Sequence, residues 1–411
     1  MLVVIVVSAG CGGSPSLSAG STSTSTSRAQ TTVPVTGATG AGQVTTTLDR
    51  IAFFNPRQGY GLFDKRPSNS SSCQSFIAKT TDGGAHFTHL GTVDTWPCAS
   101  SRSATSLAFD NHGDGFVYGP KLFVTHNGGV TWHPDAQPGT VTAVAAIGYS
   151  VWMVEGVCPS GVSSPATTCP LQLLESSNGG RTWAPSPSQP SGANASAGAL
   201  TLEPALGQSW LVRASSSAAY LLSNPTRTQN GSASSAPLWY TSNGGSSWTT
   251  EELPCGQGAL SVALSLAPDG SLTAVCASEP SAGAQPKSTS VSRDGGRTWA
   301  IHTPCFGSVP TQCTNSSPLN FGYLGSIDSV SAGTTFLVGG RSELLVTRDG
   351  GKQWQPIEPL IGGTGSGTKQ VIFFNGYDGV VLGVHSSTEE PAIWSTTDIG
   401  FHWSKVVPSV N

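Results

Sequence analysis

A composition rich in Gly, Pro, Ser and Thr, a short motif that recurs seven times, and a fixed order of short apolar runs before each recurrence predict an all-β chain. The specific expectation is a seven-bladed β-propeller of four-stranded antiparallel blades. Of 411 residues, 51 are Gly and 28 are Pro, only two are Met, and 10% are charged, which suits short strands joined by tight turns. No convincing amphipathic helix is present. The formal net charge is −4 and the 19 Lys and Arg are scattered. A basic stripe of the kind nucleic-acid binding needs is therefore missing, and nucleic acid is excluded as a partner.

In chain order, the first segment is MLVVIVVSAGC, a short apolar run, then small residues, then Cys11. It resembles the end of a bacterial lipoprotein signal, in which the peptide (residues 1–10) is cut before the cysteine and a diacylglyceryl group is attached to its sulfur. Ser8 stands where that family usually has Leu, and no Lys or Arg precedes the run. A plain secretory signal is the alternative. The run is far shorter than the ~20 residues a spanning helix needs. Residues 11–44 are Ser, Thr, Gly and Pro with almost nothing to bury, and are expected to form a disordered tether.

The propeller is expected over residues 45–408. Its marker is the pattern Ser/Thr-x-Asp/Asn-x-Gly-x-x-Trp, as in VSRDGGRTW at 291–299. Aligned on the acid or amide, the copies fall at Asp82, Asn127, Asn178, Asn243, Asp294, Asp349 and Asp398, 45 to 65 residues apart. That period suits one four-stranded sheet per copy. Before the motif comes a first strand (IAFF at 51, SLAF at 106, TAVAAI at 142, VIFF at 371). A second follows (GYGLF at 59, GFVYG at 115, TFLVGG at 335, GVVLGV at 379), then a third (KLFVTH, LQLLES, ELLVTR, AIWSTT), and the fourth begins around the Trp. Seven such sheets arranged radially leave few exposed edges.

The motif is similar to the Asp-box, or BNR repeat, of sialidases, sortilin-type receptors and the propeller family of photosystem II assembly factors. The first-strand spacing of FFNPRQGYG and AFDNHGDGF resembles the last of these most, and FFNGYDGV repeats it with Val380 in the aromatic slot. The resemblance covers nearly all of the chain after residue 45. It implies a chaperone-like scaffold and does not name a client.

Three copies carry Asn in place of Asp, an exchange that keeps an acceptor oxygen but removes the charge. A general acid, a general base or an obligatory metal ligand would not survive it, whereas a turn-forming side chain would. The second glycine (Gly84, Gly129, Gly180, Gly245, Gly296, Gly351, Gly400) recurs in all seven copies, while Ile399 replaces the first in the last copy. The second is therefore expected to be the left-handed position. The closing aromatic is Phe87, then Trp132, Trp183, Trp248, Trp299, Trp354 and Trp403. A broad ring at equivalent places reads as a wedge between neighbouring sheets. The motif is thus expected to be structural.

Eight cysteines follow Cys11, an even number that reads as four disulfides in an exported chain. With the strands of a blade called A to D, the A–B and motif-bearing C–D turns share one face. Cys73, Cys158 and Cys169 fall in B–C connections, Cys276 at the end of a B strand, and Cys98, Cys255, Cys305 and Cys313 in D–A connections, all on the opposite face. Sequential pairs are expected: Cys73–Cys98, Cys158–Cys169, Cys255–Cys276 and Cys305–Cys313. Zinc is the alternative, but no C-x-x-C pair or His cluster supports it, and no metal or cofactor is expected.

The same face carries the long insertions 65–74, 88–104, 157–170, 215–236, 277–287 and 303–326. Trp96, Phe306 and Tyr323 are its exposed-aromatic candidates, with Arg341, Arg66, Asp94 and Glu343 as charged neighbours. Two functions fit. One is a non-catalytic, lipid-anchored monomer that binds a protein or glycan outside the cytoplasm through this face. The other is a sialidase-like glycoside hydrolase, which needs converging arginines, a Tyr/Glu pair and an acid Asp. No Arg-Ile-Pro is present, and Arg181, Arg293, Arg297 and Arg348 lie in or beside the motif turns. Arg50, Arg57, Arg66, Arg102, Arg213, Arg227 and Arg341 remain, with no obvious Tyr/Glu pair, so no catalytic residue is assigned.

Overall fold

The apolar runs named above are each too short to fold alone and bury their faces only against a neighbouring sheet, and they form strands. The structure, a computed structural model, describes residues 44–100, 105–157, 169–190, 201–202, 209–223, 237–255, 259–281, 285–302, 322–339, 344–357, 368–384 and 390–411. Blade 1 holds β1 (Val44–Phe53), β2 (Gly59–Pro67), β3 (Ser72–Thr80) and β4 (His86–Pro97). Blade 2 holds β5 (Ser106–Phe109), β6 (Gly115–Tyr118), β7 (Leu122–Thr125) and β8 (His133–Asp135). Blade 3 holds β9 (Thr140–Ile147), β10 (Ser150–Gly156), β11 (Cys169–Ser176) and β12 (Ala184–Pro185), with β13 (Thr201–Leu202) paired to the start of β11. Blade 4 holds β14 (Ser209–Arg213), β15 (Ala219–Ser223), β16 (Pro237–Thr241) and β17 (Thr249–Glu252). Blade 5 holds β18 (Ser261–Leu266), β19 (Leu272–Ala277), β20 (Lys287–Ser292) and β21 (Ala300–His302). Blade 6 holds β22 (Leu324–Ser329), β23 (Thr335–Gly339), β24 (Leu344–Thr347) and β25 (Gln355–Pro356). Blade 7 holds β26 (Thr368–Phe373), β27 (Gly379–Val384), β28 (Pro391–Thr396) and β29 (Ser404–Val406).

Every blade is an antiparallel meander, and the inner strands β1, β5, β9, β14, β18, β22 and β26 touch in that order and return to β1. The fold is a seven-bladed β-propeller. Its core lies in the seams: Phe53, Phe63 and Phe87 pack with Val380, Leu382 and Ile393 across blades 1 and 7, and Tyr60 and Ile77 pack with Phe109 and Val117 across blades 1 and 2. The inner strands are also laced by polar side chains. Thr142 Oγ1 and Ser209 Oγ are 2.5 Å apart, Ser265 Oγ accepts the Ser329 N–H at 2.9 Å, and Asp328 Oδ2 accepts the Phe373 N–H at 2.7 Å. Burial pushes the Asp328 carboxyl up to about 8, so it is neutral at pH 7.

The ring closes without an exchanged N-terminal strand, because β1 is the inner strand of its own blade. Gln370 of β26 spans the closing seam instead, donating from Nε2 to Ile51 O at 2.9 Å and accepting the Ile51 N–H at Oε1 at 3.1 Å. A last strand, β30 (Ser409–Val410), adds in parallel to β4 at His86 and Phe87. The described strands run from Val44 to Val410.

Candidate functional site

The motif turns fix which face is which. In all seven, the Ser/Thr hydroxyl accepts the N–H of the second glycine and donates to Oδ1 of the Asp or Asn; at 291–299, Ser292 Oγ lies 2.8 Å from both Gly296 N and Asp294 Oδ1. That Oδ1 also accepts the N–H four residues on, for example Thr298 at 2.9 Å from Asp294 and Thr131 at 3.0 Å from Asn127. In four copies the second side-chain atom meets a hydroxyl, as where Thr298 Oγ1 donates to Asp294 Oδ2 and Asn127 Nδ2 donates to Thr131 Oγ1, while at Asp82 and Asp398 it meets the His86 and His402 rings. A hydroxyl can donate or accept, so acid and amide make the same turn. The hydrogen bond from Thr298 holds the Asp294 carboxyl down at about 2, and the His86 N–H does the same for Asp82.

Both glycine positions are left-handed, not only the second. Gly83 and Gly84 have φ of 79° and 92°, and Ile399 is forced to 60°. The cause is tertiary: the amide at the first position must reach the A–B turn of its own blade, as Gly83 N–H does to Arg57 O and Ile399 N–H to Tyr377 O. The closing aromatics lie in the seams, where Trp183 Nε1 donates to Asp135 Oδ2 of blade 2 and Trp354 Nε1 to Thr289 Oγ1 of blade 5.

On the opposite face, Cys73 is bonded to Cys98 and Cys255 to Cys276, with Cα atoms 5.0 and 5.6 Å apart. Cys169 opens β11 and Cys73 lies within β3, so neither sits in a connection. The expected partners Cys158, Cys305 and Cys313 lie outside the described residues, as do Cys11, Phe306, Arg341, Glu343, Arg102 and Arg227.

Blade 1 departs most from the sequence-based expectation. Segments 65–74 and 88–104 were expected to be loops, yet the strands of this blade are 9 to 12 residues long and run on through Pro67, from Ser72 and to Pro97. The blade-2 strands are 3 or 4 residues. The extension is a sheet whose register sets Val44 opposite Pro67, Ser72 opposite Pro97 and Cys73 opposite Trp96. Trp96 was expected to be exposed but is only 6% exposed. Strand alternation puts its ring beside the Cys73–Cys98 bridge, and the Arg66 guanidinium lies 6.0 Å from the ring centroid. Asp94 is half-buried on the same strand. Tyr323 is half exposed, at the entrance to blade 6. The structure thus gathers Arg66, Cys73, Cys98 and Trp96, and leaves Tyr323 on a separate blade.

The outer edge of β4 is partly used. Strand β30 covers its start, with His89 N–H donating to Asn411 O at 3.0 Å. Among the described residues no strand pairs with that edge from Leu90 to Pro97.

The arginines do not converge among the described residues. The Arg213 side chain is fully buried, donating to Ala145 O, Ser150 O, Ser150 Oγ and Ser216 O, with its guanidinium 4.5 Å from the Trp152 ring centroid. Burial lowers it to about 10. Arg50 pairs with Asp49 at 3.4 Å, Arg57 sits in an A–B turn on the motif face, and Arg66 lies against Trp96. No group of three or more His, Cys, Asp or Glu among the described residues is placed to hold a metal. Nor is any helix there long and apolar enough to cross a membrane.

Sequence reasoning missed several residues on the motif face. Tyr149, Tyr377 and Phe401 are more than half exposed, and Arg348 lies 3.8 Å from the Phe401 centroid. Beside Tyr149, Asp114 accepts from His126 Nδ1 at 2.9 Å and pairs with Arg181 at 3.5 Å. The departure of Phe401 from the residue types at that motif position was the available signal.

No family model matches the sequence, and no curated protein matches it. Solved structures do resemble the fold. The structure of YCF48 bound to D1 peptide aligns at 16% identity and a TM-score of 0.49, covering 84% of this chain and 95% of that one. The GH74 enzyme of Niastella koreensis aligns at 14% and 0.38, covering 88% of this chain and 66% of that one. A PL25 ulvan lyase bound to -[GlcA(1-4)Rha3S]- aligns at 9% and 0.53, covering 87% of this chain and 94% of that one. At these identities the likeness extends to the propeller fold and to no activity.

Proposed function

We propose that this chain is a non-catalytic, extracytoplasmic scaffold that binds an extended protein segment along the projecting part of blade 1. The observation that carries the reading is the outer edge of β4 from Leu90 to Pro97, which continues a strand-addition surface that β30 already uses at His86 and Phe87. Within this edge the Thr95 N–H is taken by Asp94 Oδ1 at 2.8 Å and Pro97 has no N–H, so an added strand would pair with the remaining backbone groups, and such an edge is a template for strand addition. The Cys73–Cys98 bridge ties this edge strand to β3, which lowers the ordering cost on binding. The separate duties of Arg50, Arg57, Arg66 and Arg213 favour binding over a sialidase-like hydrolysis. Cys11 would carry the lipid and residues 11–44 would form the tether, and the two disulfides suit an oxidising compartment.

The test is a photo-crosslinking residue at Thr95 on β4 or, as control, at Ser404 on β29, in intact cells. The expected result is a discrete protein adduct from Thr95 alone, lost when Thr92→Pro interrupts the edge strand. Equal adducts from both positions, or none from Thr95, would overturn the edge-binding reading. Fatty-acid labelling that disappears in Cys11→Ser tests the anchor separately.

A further inference from the structure

Asn–Gly pairs occur in the sequence at Asn127, Asn178, Asn230, Asn243 and Asn375. Such a pair is chemically labile, because a glycine nitrogen with no side chain beside it can attack the Asn side-chain carbonyl. The fold decides which pairs are free to react. In three motif turns the glycine N–H is already given to the A–B turn of its own blade: Gly128 to Gly113 O at 2.9 Å, Gly179 to Tyr149 O at 2.9 Å and Gly244 to Ser217 O at 2.8 Å. These glycines are also fixed at φ of 70°, 72° and 68°. A nitrogen held in this way must break its bond before it can turn on the side chain. Asn230 lies outside the described residues.

Asn375 is different. It is exposed in the A–B turn of blade 7, and among the described residues the Gly376 N–H has no acceptor. A Cβ placed on Gly376 would meet nothing within 4 Å, so no neighbour crowds the turn there. Asn375 Oδ1 accepts the Tyr377 N–H at 2.7 Å and the Asp378 N–H at 2.8 Å, two donors aimed at the oxygen on which negative charge builds during attack. Nδ2, the nitrogen that would leave, donates to Asp378 Oδ2 at 2.9 Å. Blade 1 makes the same turn, with Asn55 Oδ1 accepting the Arg57 and Gln58 N–H groups, each at 2.9 Å. There Pro56 follows the Asn, and its nitrogen has no hydrogen to lose.

We propose that Asn375 is a site of spontaneous deamidation, which converts it to aspartate or isoaspartate in the folded protein. The Gly376 nitrogen gives its proton to solvent and bonds to Cγ. The Cγ–Nδ2 bond breaks, and Nδ2 leaves as ammonia with a proton taken from water. Water then opens the cyclic imide at either carbonyl. Aspartate sets a second carboxylate against Asp378 where Nδ2 had donated, and isoaspartate inserts a methylene into the main chain ahead of Tyr377, whose carbonyl holds the Ile399 N–H. Either product loosens the turn of blade 7. The site is remote from the β4 edge in sequence and on another blade, so it stands or falls independently of the protein-binding reading.

Ageing the full chain in mildly alkaline buffer, followed by peptide mapping with mass spectrometry and isoaspartyl methyltransferase labelling, tests it. In the folded chain, deamidation at Asn375 is expected to outpace that at Asn127, Asn178 and Asn243 roughly tenfold, the protection that one or two net hydrogen bonds give. In the urea-unfolded chain the four rates should converge, because the difference lies in the fold and not in the neighbouring residues. Gly376→Pro, which copies the Asn55–Pro56 turn, should abolish the reaction at Asn375, and the thermal midpoint of the aged parent should fall as Asn375 is consumed. No deamidation at Asn375, equal rates at the four sites in the folded chain, an undiminished gap in urea, or continued reaction in Gly376→Pro would overturn the proposal. An unchanged midpoint after complete conversion would overturn the loosening of blade 7.

Discussion

Ile399 is the one described non-glycine residue at positive φ, and its conformation is imposed by the bond from its amide to Tyr377 O. A β-branched side chain crowds the backbone there, which is why glycine fills the same position in the other six copies. Ile399→Gly is expected to raise stability by about 1 kcal/mol, the backbone strain relieved outweighing the packing that the Ile side chain gives up against the core of blades 6 and 7. A thermal melt checks this, and a lowered midpoint would mean that packing outweighs strain. That Asp and Asn are interchangeable in these turns was readable from the sequence, because the side-chain chemistry is local. That the first glycine must also be left-handed was not, because its partner carbonyl belongs to a turn about 15 to 30 residues earlier in the chain, brought alongside only by the sheet.

At the scale of single elements, blade 1 carries the distinctive feature of the molecule. Its four strands outgrow their counterparts, and the Cys73–Cys98 bridge lies near the far end of that growth. Replacing both cysteines by serine is expected to cost about 3 kcal/mol. Amide exchange should then accelerate at the Ser72–Ser75 and Thr95–Pro97 ends of the sheet and stay unchanged in blades 4 and 5. Uniform acceleration would show that the bridge supports the whole ring and not this sheet alone. The two observed pairings follow chain order, each joining cysteines 25 or 21 residues apart. The extension itself was hidden. Segments such as DKRPSNSSSCQS alternate polar with polar, and a sheet free of a neighbouring blade on part of its surface has no apolar period to betray it. Trp96 was misplaced for the same reason: an aromatic in an apparent loop reads as exposed until the register sets it beside a disulfide.

The whole ring depends on side chains that cross seams, and Asp328 is the most demanding of them. It is fully buried, and its carboxyl is held up at about 8 by desolvation. Because the folded value lies above the unfolded one, the folded state binds the extra proton. Stability is then greatest below about pH 4 as far as this group is concerned, and it falls as pH rises from about 4 through 8. Asp328→Asn keeps an acceptor for the Phe373 N–H and a donor toward Ser265 without ionising. The variant is expected to lose less stability than the parent between pH 5 and pH 8, by a few kcal/mol at most. Parallel denaturant titrations at the two pH values measure it, and identical losses would show that Asp328 does not carry the pH response.

The sequence by itself determined the number of blades, the strand order within each, the turn chemistry and the two disulfide pairings seen among the described cysteines. The first three are written in local patterns that repeat, and repetition lets weak signals add. Only the tertiary structure decided that blade 1 extends as a long sheet whose β4 edge, among the described residues, pairs with no strand from Leu90 to Pro97, that Gln370 closes the ring on Ile51, and that Arg348 covers the Phe401 ring. Those outcomes depend on residues far apart in the chain meeting across a seam, and a seam has no periodicity for the sequence to display.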